Sequence, residues 1–171
     1  MTVHLYFDID GVLNPYHHRP GAVADAWDDY RDPHFLVTTS PKMIARLNHI
    51  IATYDVRCFW LTSWEEQAPW YGQQVGLDGS DQWEWLPALS ARASEGEWQK
   101  FDSIRQHIAD TRPALAVWME DDLLADPAPA KWAEETPGVE PFVPDPSVGL
   151  SPLTLDRIED LIRQQQEGEQ P

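Results

Sequence analysis

The sequence predicts an α/β domain built on a doubly wound parallel sheet, and three observations carry that expectation. Apolar runs of strand length occur at residues 3–8 (VHLYFD), 56–62 (VRCFWLT) and 114–119 (ALAVWM). Segments with apolar residues at helical spacing follow them. Each run also ends on a polar or acidic group: Asp8, Thr62, and the cluster Glu120, Asp121, Asp122. Strands buried on both faces of a parallel sheet read as continuous apolar runs, and such sheets bind ligands beyond the carboxyl ends of their strands. Asp8, Thr62 and Asp121 are therefore expected along one edge.

In chain order, VHLYFD is rich in β-formers and runs into Gly11, so it reads as a strand ending in a turn. Residues 15–40 carry Pro15, Pro20, Pro33 and many polar groups, and are expected to form a long loop or small insertion. Ser40 and Pro41 supply a capping hydroxyl and a proline at the first helical position. Met43, Ile44, Leu47, Ile50, Ile51 and Tyr54 then share one helical face. After the strand at 56–62, residues 65–97 contain Pro69, Gly72, Gly76, Gly79, Pro87 and Gly96, which predicts short irregular helices and loops in a second insertion. Phe101, Ile104 and Ile108 predict a helix over about 98–110, and 114–119 a further strand. VEPFVP at 139–144 reads as a last short strand. Ser151 and Pro152 open a helix whose Leu155, Ile158, Leu161 and Ile162 face inward. One domain is expected over residues 1–165, with 166–171 as a frayed tail.

Composition narrows the function classes. No apolar run approaches the roughly 20 residues a membrane-spanning helix needs, and the N-terminus has no secretory pattern, so a cytoplasmic location with no membrane partner is expected. Cys58 is the only cysteine, which excludes an internal disulfide and a cysteine-rich zinc site, and its apolar surroundings predict a core thiol. A net charge of −17 repels polyanions and disfavours broad nucleic-acid binding. Six of nine tryptophans (Trp60, Trp64, Trp70, Trp83, Trp85, Trp98) fall in one stretch, expected as a packed subcore, with an aromatic substrate wall as the alternative. Oligomeric state is not legible.

The segment FDIDGVLNP resembles the first motif of the haloacid-dehalogenase-like (HAD) superfamily, a strand ending in Asp-x-Asp-Gly followed by valine or threonine. WLTSW is similar to the second motif, an apolar strand ending in Thr or Ser, here Thr62. Lys100 matches the third, as the only lysine between Thr62 and the acidic cluster, and VWMEDDL resembles the fourth. The resemblance implies a Rossmann-like HAD core with short caps, of the kind associated with nucleic-acid repair. It further implies a Mg²⁺-dependent phosphatase with Asp8 as nucleophile and Asp10 as general acid and base. Thr62 and Lys100 would bind the phosphoryl group. Mg²⁺ would be held by Asp8, the Asp10 carbonyl and one or two of Asp121, Asp122 and Glu120, with Asp121 expected first. Superfamily patterns usually place two aspartates there, so Glu120 is a departure. The substrate class implied is a phosphomonoester: a nucleotide, a nucleic-acid end or a small metabolite.

Chemistry leads to the same residues. A carboxylate attacks a phosphoryl group only if the oxygen charge is offset and the approach fixed, and Mg²⁺ prefers oxygen ligands. An acid at Asp10 argues against dehalogenation, since a departing halide needs no proton. Asp8 and Asp10 can share one site only if the chain leaves strand geometry between them, and Gly11 marks such a turn. Each element also has a plainer reading. Asp-x-Asp-Gly is common in turns, although Val12 and Leu13 rule out a calcium loop. Thr62 suits a strand-end cap, Lys100 a solvated helix and Glu120–Asp122 a helix N-terminus. Their ordered occurrence favours catalysis over the rival class, a catalytically silent binding or regulatory module. His17 and His18 read as solvated loop residues, with substrate contact as the alternative, while Ser63 and Trp64 are expected to line the pocket without a catalytic role.

Overall fold

The first apolar run forms β1 (Val3–Phe7), with every residue buried, in a computed structural model that describes residues 2–16, 25–34, 37–88, 98–125 and 127–168. A short antiparallel pair follows, β2 (Arg31–His34) and β3 (Val37–Thr39), and then α1 (Pro41–Thr53) and β4 (Val56–Trp60). Next come α2 (Ala68–Val75), the two-residue β5 (Glu84–Trp85), α3 (Gln99–Thr111) and β6 (Leu115–Met119). The described chain ends with α4 (Pro127–Glu135), β7 (Val139–Phe142) and α5 (Pro152–Glu167). The main sheet runs β5-β4-β1-β6-β7, with every pairing parallel. This is the α/β, doubly wound, Rossmann-like architecture expected from the sequence.

Side-chain alternation splits the core in two. Leu5 and Phe7 of β1, Cys58 and Trp60 of β4, and Val117 and Met119 of β6 point to one face, where Met43, Ile44, Leu47 and Ile50 of α1 and Leu155, Ile158 and Ile162 of α5 cover them. Tyr6, Phe59 and Trp118 point to the other, covered by Ile104 of α3 and Ala133 of α4. With both faces covered, every position of β1 and β6 is buried, and this is why these two strands read as unbroken apolar runs. Cys58 is a buried free thiol, and burial pushes it up to about 12.

Both long helices on the first face start on a serine that accepts a backbone N–H: Ser40 from Met43 and Ser151 from Thr154, each at 3.1 Å. The first insertion reinforces both starts. Asp29 accepts from the Ser40 hydroxyl at 2.5 Å and the Lys42 amide at 2.9 Å, while Asp25 accepts from the Ser151 hydroxyl at 2.5 Å and the Leu153 amide at 3.1 Å. An aspartate at each helix N-terminus is favoured by the helix dipole. Residues 25–30 are thus a strap rather than a free loop, and Trp27 ties it to the Leu150 carbonyl at 2.8 Å.

Several elements were not legible in the sequence. β2, β3 and β5 are short and polar, and they exist through pairing rather than through an apolar pattern. α4 carries two prolines and buries only Pro129 and Ala133. α5 continues to Glu167, further than the glutamine-rich end suggested. The tryptophans expected as one subcore are divided. Trp60, Trp64 and Trp83 belong to the first face, Trp98 packs on Trp118 on the second, and Trp70 and Trp85 are exposed.

Candidate active site

β1 is the central strand, in register with β4 at Phe7 and Trp60 and with β6 at Phe7 and Met119. The chain therefore switches sides around β1, and the residues just past these strands meet at the crevice this creates. Asp8, 4% exposed, follows directly, and its backbone N–H donates to the Met119 carbonyl at 3.2 Å. The chain then turns sharply: the Ile9 carbonyl accepts from the amides of Val12, Leu13 and Asn14 at 3.2, 2.9 and 2.8 Å. Gly11 at φ 74° permits this turn and also leaves room for Asp121. A Cβ on Gly11 would lie 2.2 Å from Asp121 Oδ2.

Thr62, 1% exposed, follows β4 after Leu61, whose amide donates to the Phe7 carbonyl at 2.8 Å. Glu120, fully buried, follows β6, and its Oε1 accepts from the Asp122 amide at 3.3 Å. Lys100 enters from the first turn of α3, where a cation opposes the helix dipole. Carboxylates offset that cost: Lys100 Nζ lies 2.8 Å from Asp8 Oδ2 and 3.0 Å from Glu120 Oε2. Burial alone would push the Lys100 ammonium down, but Asp8 and Glu120 outweigh it and hold the group above the usual lysine range.

Asp8, Glu120 and Asp121 offer carboxylate oxygens within 4.8 Å of one another. Three carboxylates against one ammonium leave two negative charges uncompensated when all are ionised. The strain shows in their acidity. Burial first, and then Asp8, pushes Glu120 well above the usual carboxylate range, with Lys100 only partly opposing. Burial, Asp8 and Asp122 push Asp121 up to about 6. An all-oxygen donor set with an excess of negative charge fits a hard divalent cation such as Mg²⁺. Asp122 is exposed and is not among the three grouped carboxylates.

The Asp10 carboxylate is held by two neighbours. Asn14 Nδ2 donates to Oδ1 at 2.7 Å and Trp64 Nε1 donates to Oδ2 at 2.8 Å. Asn14 was not singled out in the sequence, and its signal is its place in the same tight turn, four residues beyond Asp10. Ser63 is exposed, whereas Trp64 is partly buried against the site. Tyr16, half exposed, lies within the field of Asp10, Asp121, Asp8 and Asp122, and its phenol is raised by burial first and by those four carboxylates next. His17 and His18 lie outside the described residues.

The family model described as "HAD domain in Swiss Army Knife RNA repair proteins" matches residues 4–154. Neither the curated proteins nor the solved structures contain a match to the chain.

Proposed function

Because the chain belongs to the family of HAD domains in Swiss Army Knife RNA repair proteins, we propose that it is a Mg²⁺-dependent phosphatase that removes a phosphomonoester from a nucleic-acid end or nucleotide. The observation that carries this reading is the placement of Asp8. It is a nearly buried carboxylate at the switch point of the sheet, with one oxygen 2.8 Å from the Lys100 ammonium and the other accepting the Ile9 amide at 2.8 Å. Those contacts fix the direction of an attacking carboxylate oxygen.

In the first step an Asp8 oxygen forms a bond to phosphorus while the bond to the leaving oxygen breaks, and Asp10 gives that oxygen its proton. The products are the free alcohol and an aspartyl-phosphate. In the second step water attacks the phosphorus, Asp10 takes the water proton, and the bond to Asp8 breaks to release inorganic phosphate. Lys100 offers a compact positive charge to the phosphoryl oxygens, and the Thr62 hydroxyl a hydrogen bond. Mg²⁺, held by Asp8, Asp121, Glu120 and the Asp10 carbonyl, would offset charge on the phosphoryl oxygens when bound. Asp121 suits the metal best, since Glu120 Oε2 is already engaged by Lys100.

A chain of net charge −17 has little capacity to grip a long polyanion, so a terminal phosphate, read locally, suits it better than a tracked strand. A small phosphorylated metabolite fits the same chemistry. The test is hydrolysis of an aryl phosphate with Mg²⁺ and with EDTA, comparing wild type with Asp8→Asn, followed by 3′- and 5′-phosphorylated oligoribonucleotides. Metal-dependent turnover that Asp8→Asn abolishes without unfolding the protein is the expected result. Equal turnover in EDTA, or full activity in the variant, would overturn the mechanism.

A further inference from the structure

We propose that Trp64, acting with Asn14, is a positioning residue for Asp10, aiming its carboxylate at the leaving oxygen of the substrate; the inference rests on the phosphatase reading above. Asp10 sits on a turn and has two free side-chain torsions, so an acid at this position needs external restraint. Both its oxygens receive a donor: Oδ2 the Trp64 indole N–H at 2.8 Å, and Oδ1 the Asn14 amide at 2.7 Å. The Asn14 amide cannot turn over without loss, because its own Oδ1 accepts the Thr38 backbone N–H at 2.7 Å. That contact keeps the Asn14 nitrogen toward Asp10.

Trp64 is fixed just as firmly. The Gln67 amide donates to its carbonyl at 2.8 Å, and the Glu65 amide donates back to the Thr62 carbonyl at 3.1 Å. Between these bonds Glu65 adopts φ 42°, one of two left-handed non-glycine residues among those described. Such a conformation costs free energy in an L-residue, and it persists where the surrounding geometry holds it. The indole ring meets the buried Tyr71 edge-on, with centroids 5.5 Å apart. A phenylalanine would supply the apolar part of that packing. The indole, unlike a phenyl ring, supplies a donor that reaches Asp10 Oδ2, and an indole N–H cannot act as an acceptor instead.

The role predicts a dependence on the leaving group, because an aryl oxide departs with little help and an alkoxide needs the proton. In the full chain with Mg²⁺, Trp64→Phe is expected to lower the kcat ratio of a nucleoside phosphate to 4-nitrophenyl phosphate by about 10- to 100-fold, the scale of a misplaced catalytic group. KM should change little and the thermal midpoint should stay close to wild type. Asp10→Asn should lower the ratio at least as far. An NMR readout stands apart from turnover: in EDTA, the indole N–H resonance absent from Trp64→Phe should shift in Asp10→Asn, and an unmoved resonance would overturn the contact. An unchanged ratio in Trp64→Phe beside a lowered ratio in Asp10→Asn would overturn the positioning role alone. An unchanged ratio in both would overturn the acid role of Asp10, and with it the reading beneath this inference.

Discussion

Replacing Gly11 with alanine should damage the proposed cation site more than the fold. The new Cβ would lie 2.2 Å from Asp121 Oδ2, 2.3 Å from Cγ and 2.6 Å from Oδ1. Ordinary contact needs about 3.5 Å, so the carboxylate must retreat by roughly 1 Å or more. The backbone at φ 74° is also a left-handed conformation that costs an L-residue roughly 1–2 kcal/mol. For a chain of this length that lowers Tm by about 2–8 °C. Small displacements around metal ligands cost about 10- to 100-fold in affinity, so Mg²⁺ binding should weaken by at least that range. Calorimetric titration of the metal-free protein with Mg²⁺, alongside melting in EDTA, measures both effects. A Gly11→Ala protein that binds Mg²⁺ as tightly as wild type would refute the placement of Asp121 as a ligand.

Two further predictions concern charge. Lys100→Met leaves Asp8 and Glu120 buried without their ammonium, which should cost about 3–5 kcal/mol at neutral pH and abolish turnover. Because burial and Asp8 already push Glu120 upward, the defect should shrink as pH falls, read by denaturant titrations of that variant at pH 5 and pH 7.5. The second concerns metal-free wild type. A carboxyl raised to about 6 from its ordinary 3.8 makes the native state bind more protons than the unfolded chain between those values. Asp121 therefore contributes stability that is present at the acid end and lost as pH rises from about 4 through 6. Asp121→Asn should remove that slope and raise the apo Tm at pH 7 while weakening stabilisation by Mg²⁺. An apo protein whose Asp121→Asn variant keeps the wild-type pH slope would contradict this account.

Much of the site was legible because strand ends carry it. Asp8, Thr62 and Glu120 each follow an apolar run, and a parallel sheet brings such ends to one edge whatever the loops do. The directions of Glu120, Asp121 and Asp122 were not legible, because spacing does not encode them. The chain enters a 3₁₀ turn there, sending Glu120 inward to Lys100, Asp121 across Gly11 and Asp122 to solvent. Trp64 was expected only to line the pocket, and Asn14 was not singled out. Their hydrogen bonds to Asp10 depend on two turns, 54 residues apart along the chain for Asp10 and Trp64, closing toward each other.

By itself the sequence determined the α/β class, the order of the central strands and helices, and the edge at which the polar groups gather. It could do so because burial on both faces of a sheet leaves a continuous apolar pattern that local composition records. Tertiary structure alone decided the strap of residues 25–30 that caps two helices, the edge pairing of β5, the division of the tryptophans between two faces, and the partners of Asp10. These depend on contacts between residues far apart in the chain. A polar side chain carries no mark of which distant donor or acceptor will satisfy it until the fold brings the two within about 3 Å.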